Sequence, residues 1–186
     1  SYIEETQKIS DAHTKEIKVY SKEEYLELDL NTRRNLELVE SMRNKEKRGS
    51  LLWVLDKTKT AMGGRMLRTF LEKPLIDCAK ISKRLYAVSE LFENTDIREE
   101  LASLLEDIYD MERILGKIAC KSVNPKDMLS LKQSLLKLPA LHEMMKKFQA
   151  PLLKGFSDNF DTMDELADLL DRAITEEDTP MVIKDG

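Results

Sequence analysis

Two adjacent glycines, Gly63 and Gly64, sit inside a run whose apolar residues otherwise repeat as a helix does. No other feature constrains the fold as much, because two glycines cost a helix about 2 kcal/mol relative to alanine. The expected compensation is another backbone packed close against them, where a Cβ would not fit. The flanking sequence, residues 49–75, supplies the other parts of a joint. Ser50 is placed to cap a short apolar turn over residues 51–55 by accepting from orphan backbone N–H groups. That turn carries Trp53, the single tryptophan. Thr58 and Thr60 offer a second cap, after which Met62, Leu67, Phe70 and Leu71 fall on one helical face. Arg65 and Arg68 then point from this helix toward whatever lies beside it, and Pro74 ends it.

The rest of the chain is poor in helix breakers. With Gly 6 and Pro 5 in 186 residues, 35% charged residues and only 6% aromatics, the composition favours a mostly helical protein with a substantial core. A net charge of −5 makes the chain as a whole a poor electrostatic partner for nucleic acid or an anionic membrane. Cys78 and Cys120 stand in no metal or redox spacing and read as buried, reduced thiols of a cytosolic protein. No apolar run approaches the length of a membrane span, and none reads as a signal peptide. The start at Ser1, without an initiator methionine and within a helical pattern, reads as a piece excised from a longer protein.

Residues 1–11 carry the pattern of a helix tail, and His13 and Thr14 begin a connector. Ile17, Val19 and Tyr20 alternate with charged residues, as do residues 25–30, which predicts one or two short extended segments near the N-terminus. Asn31 or Thr32 is expected to cap a helix holding Asn35, Leu36, Leu38 and Val39, followed by a charged loop at 43–48. Asp77 is a fair cap for a helix in which Ile81, Leu85, Val88, Leu91 and Phe92 form an amphipathic stripe. Asn94, Thr95 and Asp96 stop that helix and start another, with Ile97, Leu101, Leu104, Leu105 and Ile108 inward. Asp110 can cap a helix burying Met111, Ile114, Leu115 and Ile118, and Asn124-Pro125 opens one with Met128, Leu131, Leu135 and Leu138. Pro139 should kink or restart it before Leu141, Met144, Met145 and Phe148. Pro151 and Gly155 mark a turn in a loose stretch from 150 to 159, and Phe160, Met163, Leu166, Leu169, Leu170 and Ala173 define a last helix. An acidic breaker at 175–180 precedes residues 181–186, which read as the first strand of a further element. The fold class is mainly α: an elongated multi-helix assembly.

Local chemistry points away from catalysis. There is no GxxxxGK[ST] phosphate loop, since Arg65 rather than Lys follows the glycine pair. His13 and His142 are far apart and neither has a second ligand at helical spacing; His142 reads as a partly buried helix histidine. No Ser or Cys has a base at local spacing. Arg43, Lys45, Lys47 and Arg48 are interrupted by Glu46 and lack aromatic neighbours, which favours a solvated loop over phosphate contact. Glu106, Asp107 and Asp110 suggest a cation site less than caps and solvated helix faces. Arg33, Arg34 and Asn35 admit two readings: a buried ion pair beside a surface charge, or an inter-domain clamp built on bidentate arginine contacts. No catalytic, cofactor-binding or metal residue is expected.

Two long runs carry a resemblance: LDLNTRRNLEL from Leu28 and GSLLWVLDKTKTAMGGRML from Gly49. With EKPL from Glu72, ISKRLYAV from Ile81, DMERILG from Asp110 and LKQSL from Leu131, the chain resembles the bacterial MutS family of DNA mismatch-recognition ATPases. The likeness covers essentially the whole chain, and YIEETQK from Tyr2 resembles the helix leading out of that family's connector domain. It implies the end of a connector domain and linker at 1–20, the first half of a core or lever domain at 21–178, and the start of a clamp domain at 179–186. The family's catalytic residues have no counterparts at these positions. This stretch is therefore expected to be no enzyme, to hold no cofactor and to bind DNA weakly. The parent is implied to be a cytoplasmic, DNA-dependent ATPase using ATP and Mg, with mismatched duplex DNA, MutL and a second MutS subunit as partners. Arg33, Arg34, Asn35, Trp53, Gly63, Gly64 and Arg65 are the expected inter-domain coupling residues. The competing expectation is a stand-alone helical scaffold that binds a protein partner.

Overall fold

The computed structural model describes residues 24–174. The expectations for residues 1–20, for the acidic breaker at 175–180 and for residues 181–186 lie outside the described residues. The helices are α1 (Leu30–Asn35), α2 (Leu51–Leu55), α3 (Ala61–Glu72), α4 (Cys78–Glu93), α5 (Thr95–Glu106), α6 (Met111–Ala119), α7 (Pro125–Met145), α8 (Pro151–Asp158) and α9 (Asp164–Ala173). The mainly α expectation holds.

Local capping accounts for most boundaries. Ser50 accepts from the Trp53 N–H, Thr60 from the Gly63 N–H, Asp77 from the amides of Ala79 and Lys80, and Asp110 from that of Arg113. Each satisfies a donor that the first helical turn leaves without a partner. Asn124 and Asp127 form a reciprocal capping box around Pro125, which stands where its missing N–H does no harm. α1 departs from expectation: Asp29 is the cap, accepting from the Thr32 N–H, and the helix ends at Asn35. Glu37 then takes a left-handed conformation (φ 47°), so Leu38 and Val39 lie beyond the helix.

Of the extended segment expected at 25–30, the structure keeps a single bridge residue, Tyr25, and Leu30 already belongs to α1. Tyr25 and Leu75 form an isolated antiparallel bridge, flanked by Leu26 N–H donating to the Pro74 carbonyl at 2.8 Å and Ile76 N–H to the Glu24 carbonyl at 3.2 Å. Lys80 adds an ion pair to Glu24. The chain thus enters stitched to the elbow between α3 and α4.

α7 is the common element of two hydrophobic clusters. The first gathers Ile108, Ile114, Leu131, Leu135, Leu138, Ala167 and Leu170, with Met62 of α3 packed against it. The second gathers Ala87, Met145, Phe148, Ala150 and Leu153. Pro139 lies within α7, which continues through it on its exposed side. His142 is half-buried as expected, its ring stacked on Phe160 with centroids 5.3 Å apart.

Other expectations are overturned. On α4 the buried residue is Ala87, while Leu85, Val88 and Phe92 are 61%, 60% and 76% exposed. The stripe exists, but most of it faces outward. Leu115 and Ile118 of α6, and Leu166 and Leu169 of α9, are exposed as well; Ala167 and Leu170 are the inward residues of α9. Phe160 and Met163 precede that helix, Met163 with a left-handed backbone. Cys78 and Cys120 are both exposed, because Cys78 begins α4 and Cys120 follows the last turn of α6, where neither cluster reaches.

The loose stretch at 150–159 proves to be α8. Its N-terminus has no local cap, since Ala150 carries no acceptor. The carboxylate of Glu90 on α4 instead anchors the residues that lead into it, accepting from the amides of Gln149 at 2.6 Å and Ala150 at 2.7 Å. A carboxylate there also complements the positive end of the helix. Glu90→Ala is expected to cost about 1–2 kcal/mol in urea denaturation, and Glu90→Gln, which keeps one acceptor, less.

Candidate functional site

The joint read from the sequence is built from residues 50–65. Ser50 is almost fully buried; its hydroxyl donates to the Lys47 carbonyl at 2.6 Å while capping α2. The Leu51 and Leu52 amides donate to the carbonyls of Glu37 and Leu38, both at 2.9 Å, so the chain beyond α1 satisfies the start of α2. Only Leu52 of α2 is buried, and the Trp53 side of the turn is exposed. Between α2 and α3, Asp56 accepts from the Thr58 amide at 3.1 Å and hydroxyl at 2.6 Å and pairs with Lys47. The Lys47 ammonium is the main reason its carboxyl falls from 3.8 to about 2, with the Thr58 hydrogen bonds adding to it.

Around the glycines the expected neighbouring backbone is replaced by side chains. A Cβ on Gly63 would lie 3.0 Å from the Thr60 Oγ1 and 3.4 Å from the Thr58 Cβ; one on Gly64 would lie 3.4 Å from the Thr58 Oγ1 and 3.7 Å from an Asp56 oxygen. The loop that leads into α3 folds back over its first turn and occupies the space. Gly64 has room for a methyl group, so Gly64→Ala is expected to raise stability by about 0.5–1 kcal/mol through helix propensity. Gly63→Ala should gain less, because its methyl presses on the capping oxygen. Paired thermal melts check both.

One turn further, Arg65 grips the start of α6. Its Nη1 donates to Asp110 Oδ2 and its Nη2 to Oδ1, each at 2.7 Å, and its Nε donates to Glu112 Oε2 at 3.1 Å. This is the fork geometry that makes arginine–carboxylate contacts directional. The guanidinium holds the Asp110 carboxyl down from 3.8 to about 2, against the opposing effect of burial. Asp110 and Glu112 in turn raise the arginine's pKa. Lys59 pairs with Glu106, a second tie from the α3 approach to the bundle.

The two depressed carboxylates set an acid limb. A lowered folded-state pKa contributes stability above the unfolded value, and that contribution is lost as pH falls through the folded one. Stability is therefore expected to fall between about pH 4 and pH 2 as Asp56 and Asp110 protonate. In Arg65→Gln the larger part of the Asp110 share is lost, the Arg113 amide keeping the rest, and the loss over that range becomes shallower, measured by melts at stepped pH.

Of the residues singled out in the sequence, Gly63, Gly64 and Arg65 come together, with Trp53 one short helix away. Arg33 donates from Nε to the Leu28 carbonyl at 2.9 Å, and Arg34 and Asn35 are exposed. Among the described residues neither arginine pairs with a carboxylate, so the buried ion pair is not found. No hydrogen bond or ion pair among those residues joins Arg33, Arg34 or Asn35 to the glycines or Arg65. The loop at 43–48 is exposed, with Lys47 engaged by Asp56. The three acids weighed as a cation site each hold a cation of the protein: Glu106 with Lys59, Asp107 with Lys137 and Asp110 with Arg65. Sequence reading missed Asp110 and Glu112 as partners of Arg65. The available signal, a capping acid followed two residues later by a second acid, does not say which cation comes to it.

A helical body with an arginine fork joining α3 to the start of α6 defines a helical structural domain. Residues 31–186 match the family model described as MutS domain III. The chain is 48% identical over 185 residues to the DNA mismatch repair protein MutS of Clostridium tetani, covering 100% of this chain and 21% of that protein. It is 48% identical over 185 residues to the protein of the same name from Clostridium perfringens (100% and 20%). Against that of Caldicellulosiruptor saccharolyticus it is 45% identical over 186 residues (100% and 21%). The chain belongs to the MutS domain III family. It spans about a fifth of the length of the curated relatives it matches.

Proposed function

We propose that this chain is the helical core or lever portion of a DNA mismatch-recognition ATPase, coupling the binding of mismatched duplex DNA to ATP turnover elsewhere in the parent protein. The observation that carries this reading is the domain III match over residues 31–186 together with relatives named for DNA mismatch repair. The outward seam of α4 supports it. Leu85, Val88 and Phe92 repeat at helical spacing yet lie open, as expected of one part of a larger assembly. Packed helices move as rigid rods, so a shift at the α2–α3 joint is passed along the bundle rather than absorbed within it. Arg65, Gly63 and Gly64 form the coupling point of this scheme, with Trp53 and Arg33, Arg34 and Asn35 at its outer side.

In the parent, ATP and Mg act outside this stretch, and MutL and a second MutS subunit are the protein partners of a cytoplasmic repair complex. No helix among the described residues is long and apolar enough to cross a membrane. The stand-alone scaffold reading is not favoured by relatives five times longer than the chain. The test is Gly64→Leu in the full-length parent, where the branches beyond Cβ meet Thr58 and Asp56. Mismatch-stimulated ATP turnover should fall while the unstimulated rate persists; unchanged coupling with unchanged stability would refute the role.

A further inference from the structure

We propose that the docking of α3 on the bundle is set by an ion-pair latch, Arg65 closing on Asp110 and Glu112, and that the latch opens without disturbing α6. The first support is what α3 lacks. In its twelve residues none is buried, and Met66 is 60% exposed. Met62 alone reaches the first hydrophobic cluster. At the far end of the helix, Phe70 lies under the Arg84 guanidinium, 3.8 Å from the ring centroid, again a contact that involves a charge. An amphipathic helix held this way depends on its polar ties far more than a core helix does.

The second support is the geometry of the cluster. All three guanidinium nitrogens are engaged, and Asp110 serves two elements at once: its Oδ1 accepts from the Arg113 amide as the cap of α6 and also from Arg65. Lys59 and Glu106 close a parallel tie beside it. Most of these groups are open to solvent, with Asp110 the least exposed at 21%, so mobile ions weaken the ties, whereas the contact of Met62 is left intact. The two duties of Asp110 are chemically separable. Asparagine caps a helix as well as aspartate does, but it cannot hold the fork.

The latch stands on this geometry; only its purpose, the release of the joint, rests on the coupling function proposed above. Amide hydrogen exchange on this chain tests it. In Asp110→Asn the amides of α3 are expected to exchange about two- to fivefold faster, while those of α6 keep their protection. Raising salt from roughly 0.05 M to about 0.5 M should speed α3 in the natural chain and do so by a smaller factor in the variant, which keeps the Glu112 and Lys59–Glu106 pairs. Glu112→Gln, which does not touch the cap, should give the same signs at smaller size. Exchange of α3 indifferent to salt and to both variants would overturn the latch, and so would α3 and α6 accelerating together in Glu112→Gln. A working latch whose loss leaves mismatch-stimulated ATP turnover in the parent unchanged would instead sink the coupling function alone.

Discussion

Phe148→Ala is expected to lower stability by about 3–5 kcal/mol, read from the urea midpoint at constant slope. Phe148 is 2% exposed and is the largest of the fully buried side chains. It packs with Ala87, Met145, Ala150 and Leu153, drawn from α4, the end of α7 and the start of α8. Two of those neighbours are alanines, which cannot swing into the space a phenyl ring vacates. The cavity should therefore persist, placing the cost toward the upper part of the range. A loss below about 1 kcal/mol would mean that this cluster is not a core.

Leu135→Ala is expected to cost about 2–5 kcal/mol by the same measurement. Leu135 lies 4% exposed in the first cluster, between the helices that supply Ile108, Ile114, Ala167 and Leu170. Because the two sites share no cluster neighbour, the double variant should show the sum of the single effects to within about 0.5 kcal/mol. The transition should nevertheless remain single, since α7 contributes Leu135 to one cluster and Met145 to the other. Loss of Phe148 that left the first cluster folded would appear as two transitions, and would show that α7 does not bind the halves into one cooperative unit.

What could be read from the sequence was what the chain settles locally. Ser50, Thr60, Asp77, Asp110 and Asn124-Pro125 each act on amides within three residues, so their caps were legible from type and order alone. The inward face of α7 was legible too, because it is covered by elements of this same chain. Several of the failures share a cause, a partner far away in sequence. α8 was read as a turn because it has no local cap, and the carboxylate that anchors its approach is Glu90, 60 residues before Ala150. Arg65 was read as pointing toward whatever lies beside its helix, and its partner stayed unnamed because Asp110 is 45 residues distant. On α4 the periodicity located the stripe correctly but not its direction, since a repeat of apolar residues says that a face exists and not what covers it. At the joint, the glycine pair signalled close approach, yet the approaching group is the side-chain cluster of the preceding loop.

The stitch between residues 24–26 and 74–76 has a mechanical consequence. Tension on the chain ahead of Glu24 is delivered through the Leu26–Pro74 and Glu24–Ile76 hydrogen bonds and the Glu24–Lys80 pair to the elbow where α3 ends and α4 begins. α1, the loop at 43–48, α2 and α3 together form a loop of chain closed at its base by these bonds. A pull from upstream therefore acts at the elbow, at one end of α3, while the fork of Arg65 ties that helix to α6 near its other end.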